Sequence, residues 1–256
     1  MKSFNFLLPN RSEKPRNIGL TMALDKGLGH ETAKNLMEIA GDYVDLLKFG
    51  WGTIVIHDRN IIMNKIKMYK SFDIIPYPGG TLFEIAYTQN KISEYFEEAA
   101  AMGFETIEIS DGSTDMKEEE KLDFIATAKD EGFRVISEVG KKDPKKDSEI
   151  DIDQRIESIK RELTAGSDKV IIEAREGGKN IGIFDKSGKA KDEEVNYLLK
   201  NLPNEKIIWE APNKDQQIYF VLKVGLEVNL GNISSDDITS LETIRRGLRG
   251  DTLGKI

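Results

Sequence analysis

The feature that most constrains this chain is a regular alternation of short apolar runs with segments of helical spacing. The apolar runs read as strands at Ile18–Leu24, Val44–Phe49, Ile74–Tyr77, Thr106–Ser110, Val135–Val139, Lys169–Ala174, Lys206–Glu210 and Glu227–Leu230. Between them the spacing changes. Ile92, Tyr95, Phe96, Ala99 and Ala100 fall at i, i+3, i+4, i+7 and i+8, one face of a helix. Strands that alternate with helices must run parallel, because each crossover returns the chain to the same edge. Eight such units in 256 residues match a single closed (β/α)8 TIM barrel spanning residues 1–256. An open doubly wound sheet is the architectural alternative. Its dinucleotide fingerprint, G-x-G-x-x-G after the first strand, is absent.

Composition removes whole classes of chemistry. There is no cysteine, so disulfides, thiolate catalysis and iron–sulfur clusters are excluded. Two histidines, His30 and His57, are too few for a histidine-rich metal centre. His57 sits among charged residues and reads as a surface side chain; His30 reads as a residue near a helix start that caps it. A formal net charge of −8 argues against a nucleic-acid or anionic-membrane footprint. The N-terminus is too weakly apolar for a signal peptide and no run suits a transmembrane helix, so the expected location is cytoplasmic. The polar stretch Lys141–Asp153 reads as a long loop after the fifth strand. The last helix is expected from Ser234–Ser235 to about Arg249, with Gly250 stopping it.

Active sites of such barrels lie at the carboxyl ends of the strands. Four neighbouring strands carry a glutamate there: Glu108, Glu138, Glu173 and Glu210. Facing one cavity, they would repel each other and resist desolvation unless cations offset them. Mg²⁺, which takes oxygen ligands, is one candidate. Lys26, Lys48, Lys141, Lys142 and Arg175, at nearby strand ends, are the other. The competing structural explanation is a buried ionic network that only holds the barrel together.

Glycine loops supply possible anion cradles. Gly79, Gly80 and Thr81 open a helix after the third strand, and amides at a helix start suit a phosphate or carboxylate. Gly177-Gly178-Lys179 and Gly231-Asn232 follow the sixth and eighth strands; tight turns explain them equally well. Lys48 ends the second strand and fits a Schiff base, a proton donor, an anion ligand or an ion pair.

The strand-end segments, taken together, resemble the phosphosulfolactate synthase family. They are LDKG (24–27), DLLKFGWGT (45–53), YPGGTLFE (77–84), EISDGS (108–113), SEVGKK (137–142), VIIEAREGGK (170–179), WEAPNK (209–214), VNLGNI (228–233) and LETIRRGLRGDTLGK (241–255). The resemblance implies a (β/α)8 barrel that adds sulfite to phosphoenolpyruvate with Mg²⁺, giving (2R)-phospho-3-sulfolactate. In methanogens this step leads to coenzyme M, and bacterial relatives are linked to sulfolactate. The family also contains plant heat-stress-associated relatives. A homo-oligomer follows from the resemblance alone.

On this reading the glutamates hold Mg²⁺, in the order Glu108, Glu138, Glu173, then Glu210, on strand adjacency. Lys142 is the general acid, with Lys141 and Lys48 as alternatives. Arg175, Lys26 and the Gly79, Gly80 and Thr81 amides bind phosphate or sulfite. Two other readings stand beside it: a class I aldolase using Lys48, and a non-catalytic, stress-linked binding protein.

Overall fold

The computed structural model describes residues 3–256. The strands and main helices run β1 (Thr21–Asp25), α1 (His30–Ala40), β2 (Leu46–Phe49), α2 (Arg59–Lys70), β3 (Ile75–Pro78), α3 (Gly80–Thr88), α4 (Ile92–Met102) and β4 (Thr106–Ile109). They continue with α5 (Glu118–Asp130), β5 (Arg134–Val139), α6 (Pro144–Ser148), α7 (Ile152–Ala165), β6 (Lys169–Ile172), α8 (Asp192–Asn201), β7 (Ile207–Glu210), α9 (Lys214–Val224), β8 (Leu230–Ile233) and α10 (Ile238–Arg245). All ladders are parallel and run in the order β3-β2-β1-β8-β7-β6-β5-β4. β3 and β4 lie side by side and nearly close the ring. This is the (β/α)8 barrel. Among the described residues no helix is long and apolar enough to cross a membrane.

Strand pleating sorts the side chains into two compartments. One residue set of each strand meets the helices in the larger core, as with Leu47 and Phe49 of β2, Val135 and Val139 of β5, and Trp209 of β7. The alternate set fills the barrel: Leu20, Met22, Leu46, Tyr77, Ile136, Ile171 and Ile208 form a separate apolar plug. Two residues further along the same faces come Lys48, Glu138, Glu173 and Glu210. The apolar plug is therefore the floor beneath a charged layer at the carboxyl ends.

The strand bounds differ from the sequence reading most at β1 and β8. β1 begins at Thr21 and not Ile18, which is 40% exposed. β8 lies at Leu230–Ile233 and not Glu227–Leu230. The earlier residues add side-chain cross-links to single backbone bonds, Gly19 N–H to Glu227 C=O at 2.8 Å and Trp209 N–H to Asn229 C=O at 3.0 Å. Glu227 accepts hydrogen bonds from the N–H and hydroxyl of Ser12, while the Asn229 amide bridges Leu20 N–H and Ile207 C=O. Gly231 and Asn232 are thus strand residues, not a loop. At Gly231 the interior has no room for a side chain: a Cβ would fall 2.4 Å from Met22 Cε and 2.8 Å from Ile208 Cγ2.

The polar stretch after β5 is largely helical. Asp143 accepts from the N–H groups of Lys145 and Lys146 with Pro144 in the first turn, and Asp151 and Gln154 form a capping box for α7. α10 starts at Ile238 after a 3-10 turn and ends at Arg245, where Gly247 (φ 64°) turns the chain three residues before Gly250. His30 is the first residue of α1 and pairs with Glu31; the capping position belongs to Gly29. His57 is exposed.

Candidate active site

A cavity of about 180 Å³ opens at the carboxyl end of the barrel. It is lined by Lys48, Gly79, Thr81, Glu108, Glu138, Lys142, Glu173, Arg175, Glu210 and Asn232, with Leu24, Gly50, Trp51 and Glu176 completing the wall. The four strand-end glutamates meet there and are 1–2% exposed. By residue type the lining carries five carboxylic side chains against three basic ones. A larger cavity of about 550 Å³ lies at the opposite mouth, around Arg16, Arg134, Asp168 and Lys206. It is remote from the convergent glutamates, and its charges are evenly matched.

Lys48 stands in the middle of the acids. Its Nζ is 3.0 Å from Glu108 Oε2, 3.4 Å from Glu138 Oε2 and 3.6 Å from Glu210 Oε1. Burial works against its charge, but the three carboxylates outweigh burial and hold the ammonium well above the usual lysine range. Burial pushes Glu108 up to about 7 despite Lys48. Burial also opposes the charge of Glu138, yet Lys48 and Lys142 prevail and bring it down to about 2. Glu173 is driven well above the carboxylate range by burial and by the neighbouring charges of Glu138 and Glu210. Glu210 moves up chiefly through burial, and Lys48 opposes the shift.

One oxygen each from Glu138, Glu173 and Glu210 lies within 4.8 Å of the others, close enough to share a metal ion. Glu138 Oε1 and Glu173 Oε2 are buried without a hydrogen-bond partner, as ligand oxygens awaiting a cation would be. This all-carboxylate set suits a hard divalent ion. Glu210, last in the expected order, belongs to this group of three, and Glu108 does not. Glu108 instead accepts the Gly80 N–H at 2.7 Å and faces Lys48.

The two adjacent lysines after β5 diverge. Lys142 Nζ enters the cavity, 3.3 Å from Thr81 Oγ1, 3.2 Å from Glu84 Oε1 and 3.8 Å from Glu138 Oε1. Burial disfavours its charge, but Glu138, Glu84 and Glu173 more than compensate and raise it above the usual lysine range. Lys141 turns the other way. It binds the carboxylate of Asp111, its carbonyl at 2.9 Å and the Thr114 carbonyl at 3.3 Å, so it braces the loop after β4.

Of the other expected residues, Arg175 sits at the mouth, its Nη1 donating to the Lys142 carbonyl at 3.0 Å. Lys26 lies outside the lining. It pairs with Glu176 at 2.6 Å and stacks on Trp51 at 4.5 Å, beside the rim. The Gly79 and Gly80 N–H groups are engaged inside the protein, by Phe49 C=O and Glu108 respectively. The anion cradle expected there is thus filled by the protein's own carboxylate, and the Thr81 hydroxyl remains as the polar group of that loop facing the cavity. Gly177 and Gly178 point their carbonyls at Asn213 and Gln216 of the α9 region and line no part of the site.

The sequence reading missed Glu84. This buried carboxylate joins Ser110 Oγ (2.8 Å), the Ser113 N–H (2.6 Å) and Lys142. A signal existed: Glu84 is the single charged residue of α3, whose sequence is GTLFEIAYT.

The pattern of residues and the geometry agree with comparison to known proteins. A family model described as (2R)-phospho-3-sulfolactate synthase matches residues 9–251. The chain belongs to this family. A phosphosulfolactate synthase of Methanothermobacter thermautotrophicus is 56% identical over 256 residues, covering all of this chain and 99% of the relative. The Arabidopsis thaliana protein HEAT-STRESS-ASSOCIATED 32 is 26% identical, over 96% of this chain and 91% of the relative. In fold, 3-hexulose-6-phosphate synthase from Salmonella typhimurium superposes with a TM-score of 0.55 at 14% identity, covering 92% of this chain and 94% of that one. Identity to the synthases over full length makes this an enzyme of the phosphosulfolactate synthase type, and family membership implies small anionic substrates.

Proposed function

We propose that the cavity adds sulfite to phosphoenolpyruvate in the presence of Mg²⁺, giving (2R)-phospho-3-sulfolactate. The observation that carries this reading is the convergence of Glu138, Glu173 and Glu210, one oxygen of each within 4.8 Å of the others in a cavity that anionic substrates have to enter. A divalent cation held by these three would offset their mutual repulsion. When bound, the ion supplies Lewis-acid stabilisation of negative charge on a substrate carboxylate. The volume, about 180 Å³, is on the scale of a three-carbon phosphoester.

The chain's own groups divide the remaining work. Thr81, Lys142 and Arg175 lie where anionic oxygens arrive, and Lys26 stands just outside. The sulfur lone pair attacks the methylene carbon, and the π electrons move toward the carboxylate. The adjoining phosphate-bearing carbon then takes a proton, which Lys142 supplies from one face. Held above its usual range, Lys142 carries that proton at neutral pH. Lys48 sits deeper, enclosed by three carboxylates, and opposes the upward shift that burial imposes on them. The same enclosure disfavours a Schiff-base aldolase, since that chemistry requires a neutral amine and Lys48 is held as an ammonium.

The test is direct. Purified protein with Mg²⁺, sulfite and phosphoenolpyruvate should form phosphosulfolactate. EDTA should abolish turnover, and Glu138→Gln should raise the Mg²⁺ concentration needed for half-maximal rate. Intact phosphoenolpyruvate after incubation with folded protein would overturn the assignment.

A further inference from the structure

We propose that Asn232 is a positioning residue that couples the carboxylate cluster to the arginine at the cavity mouth. The inference rests on the reading of Glu173 and Glu210 as cation ligands and Arg175 as a substrate-binding group. Asn232 lies in β8 with a left-handed backbone (φ 60°), a conformation asparagine tolerates better than most side chains. Its Nδ2 donates to Glu210 Oε2 at 3.2 Å and to the Arg175 carbonyl at 2.8 Å. Both partners only accept, so the orientation of the amide is determined.

Arg175 is the other half of the arrangement. It too has a left-handed backbone (φ 57°), unfavourable for a residue with a long side chain and sustained only where neighbours over-determine it. Its N–H donates to Glu173 Oε1 at 2.5 Å. Both main-chain polar groups of Arg175 therefore end on the carboxylate cluster, one directly and one through Asn232. Glu210 Oε2 additionally accepts the Ala174 N–H at 2.9 Å. Glu173 and Glu210 each spend one oxygen on this backbone frame and present the other to the centre. Shifting either carboxylate shifts the peptide that carries the guanidinium, and Asn232 bonds both Glu210 and that peptide.

Two variants separate donation from packing. Asn232→Gly removes the side chain at a backbone angle glycine adopts freely. Asn232→Asp keeps the shape but replaces the donor with an acceptor facing Glu210. Mg²⁺ binding and phosphoenolpyruvate binding, measured by calorimetry, are the readouts, with melting temperature as control. In both variants the Mg²⁺ dissociation constant should rise about tenfold, the size typical of lost outer-shell partners. The phosphoenolpyruvate dissociation constant should rise at least about threefold, with melting within a few degrees of the parent. Parent-like binding of both ligands by folded Asn232→Asp would overturn the proposal, and so would loss in Asn232→Gly alone. If the parent chain binds no Mg²⁺, the metal assignment fails; the Asn232–Arg175 link is then decided by metal-free phosphoenolpyruvate binding, where an unchanged constant in both variants refutes it.

Discussion

Lys48 Nζ lies 3.0 Å from Glu108 Oε2 at the floor of the cavity, with both side chains largely buried. Glu138 and Glu210 share the same ammonium. Removing one partner of such a cluster leaves charges that neither water nor a counter-ion satisfies. Lys48→Met should therefore destabilise the chain by about 3–5 kcal/mol in urea unfolding and reduce turnover at least about a hundredfold. The double variant Lys48→Met with Glu108→Gln should recover part of the stability, because it deletes a charge made homeless. No recovery would show that Glu108 does not depend on Lys48.

Lys141 and Lys142 are neighbours in the chain with different work. Lys142→Met should lower kcat by about 10²–10⁴, the range for a lost proton donor, and should also lower the melting temperature, because buried Glu84 and Glu138 lose a cation. Lys141→Met should retain most activity and lose about 1 kcal/mol, since it releases the Asp111 loop and not a cavity group. Steady-state kinetics beside thermal melts distinguish them; the reverse pattern would transfer the acid role to Lys141.

Gly231 faces the apolar plug, where a Cβ would overlap Met22 and Ile208. Gly231→Ala should cost about 1–3 kcal/mol through overpacking, seen as a fall of several degrees in melting temperature. Gly80→Ala strikes the charged layer instead. Its Cβ would come within 2.2 Å of Ser110 Oγ and 2.7 Å of Glu108 Oε1, so activity should fall along with stability.

Lys14 gives a pH signature away from the site. Its ammonium donates to the carbonyls of Gly41 and Phe72, and burial lowers it to about 8. Between about pH 8 and 10.5 the unfolded chain holds this proton while the folded chain releases it, so stability rises with pH over that window. Relative to Lys14→Met, the parent should gain melting temperature from pH 8 to 10.5 and show a constant difference below about pH 7. A parent that loses melting temperature relative to Lys14→Met from pH 8 to 10.5 would reverse the assignment.

Much of the charged layer was legible because strand pleating is a local rule. Glu138, Glu173 and Glu210 each follow an interior isoleucine by two residues (Ile136, Ile171 and Ile208), so one barrel face carries both floor and acids. The choice between Lys141 and Lys142 was not legible, because consecutive side chains leaving a strand diverge and only their partners show which way each turns. The Gly79 and Gly80 amides misled for a related reason. A helix start reads as an anion site, and no local pattern reveals that Glu108, on another strand, already occupies it.

The amino-acid sequence alone determined the barrel, the convergence of four glutamates and the family, because each rests on short-range periodicity or on residues read in order. Tertiary structure alone decided that Glu138, Glu173 and Glu210 form the cation-sized cluster, that Lys48 stands among Glu108, Glu138 and Glu210, and that Glu84 and Asn232 contact Lys142 and Arg175. Those are contacts between distant segments. They depend on strand stagger around a nearly closed ring and on competition between burial and charge, and neither is written in the spacing of neighbouring residues.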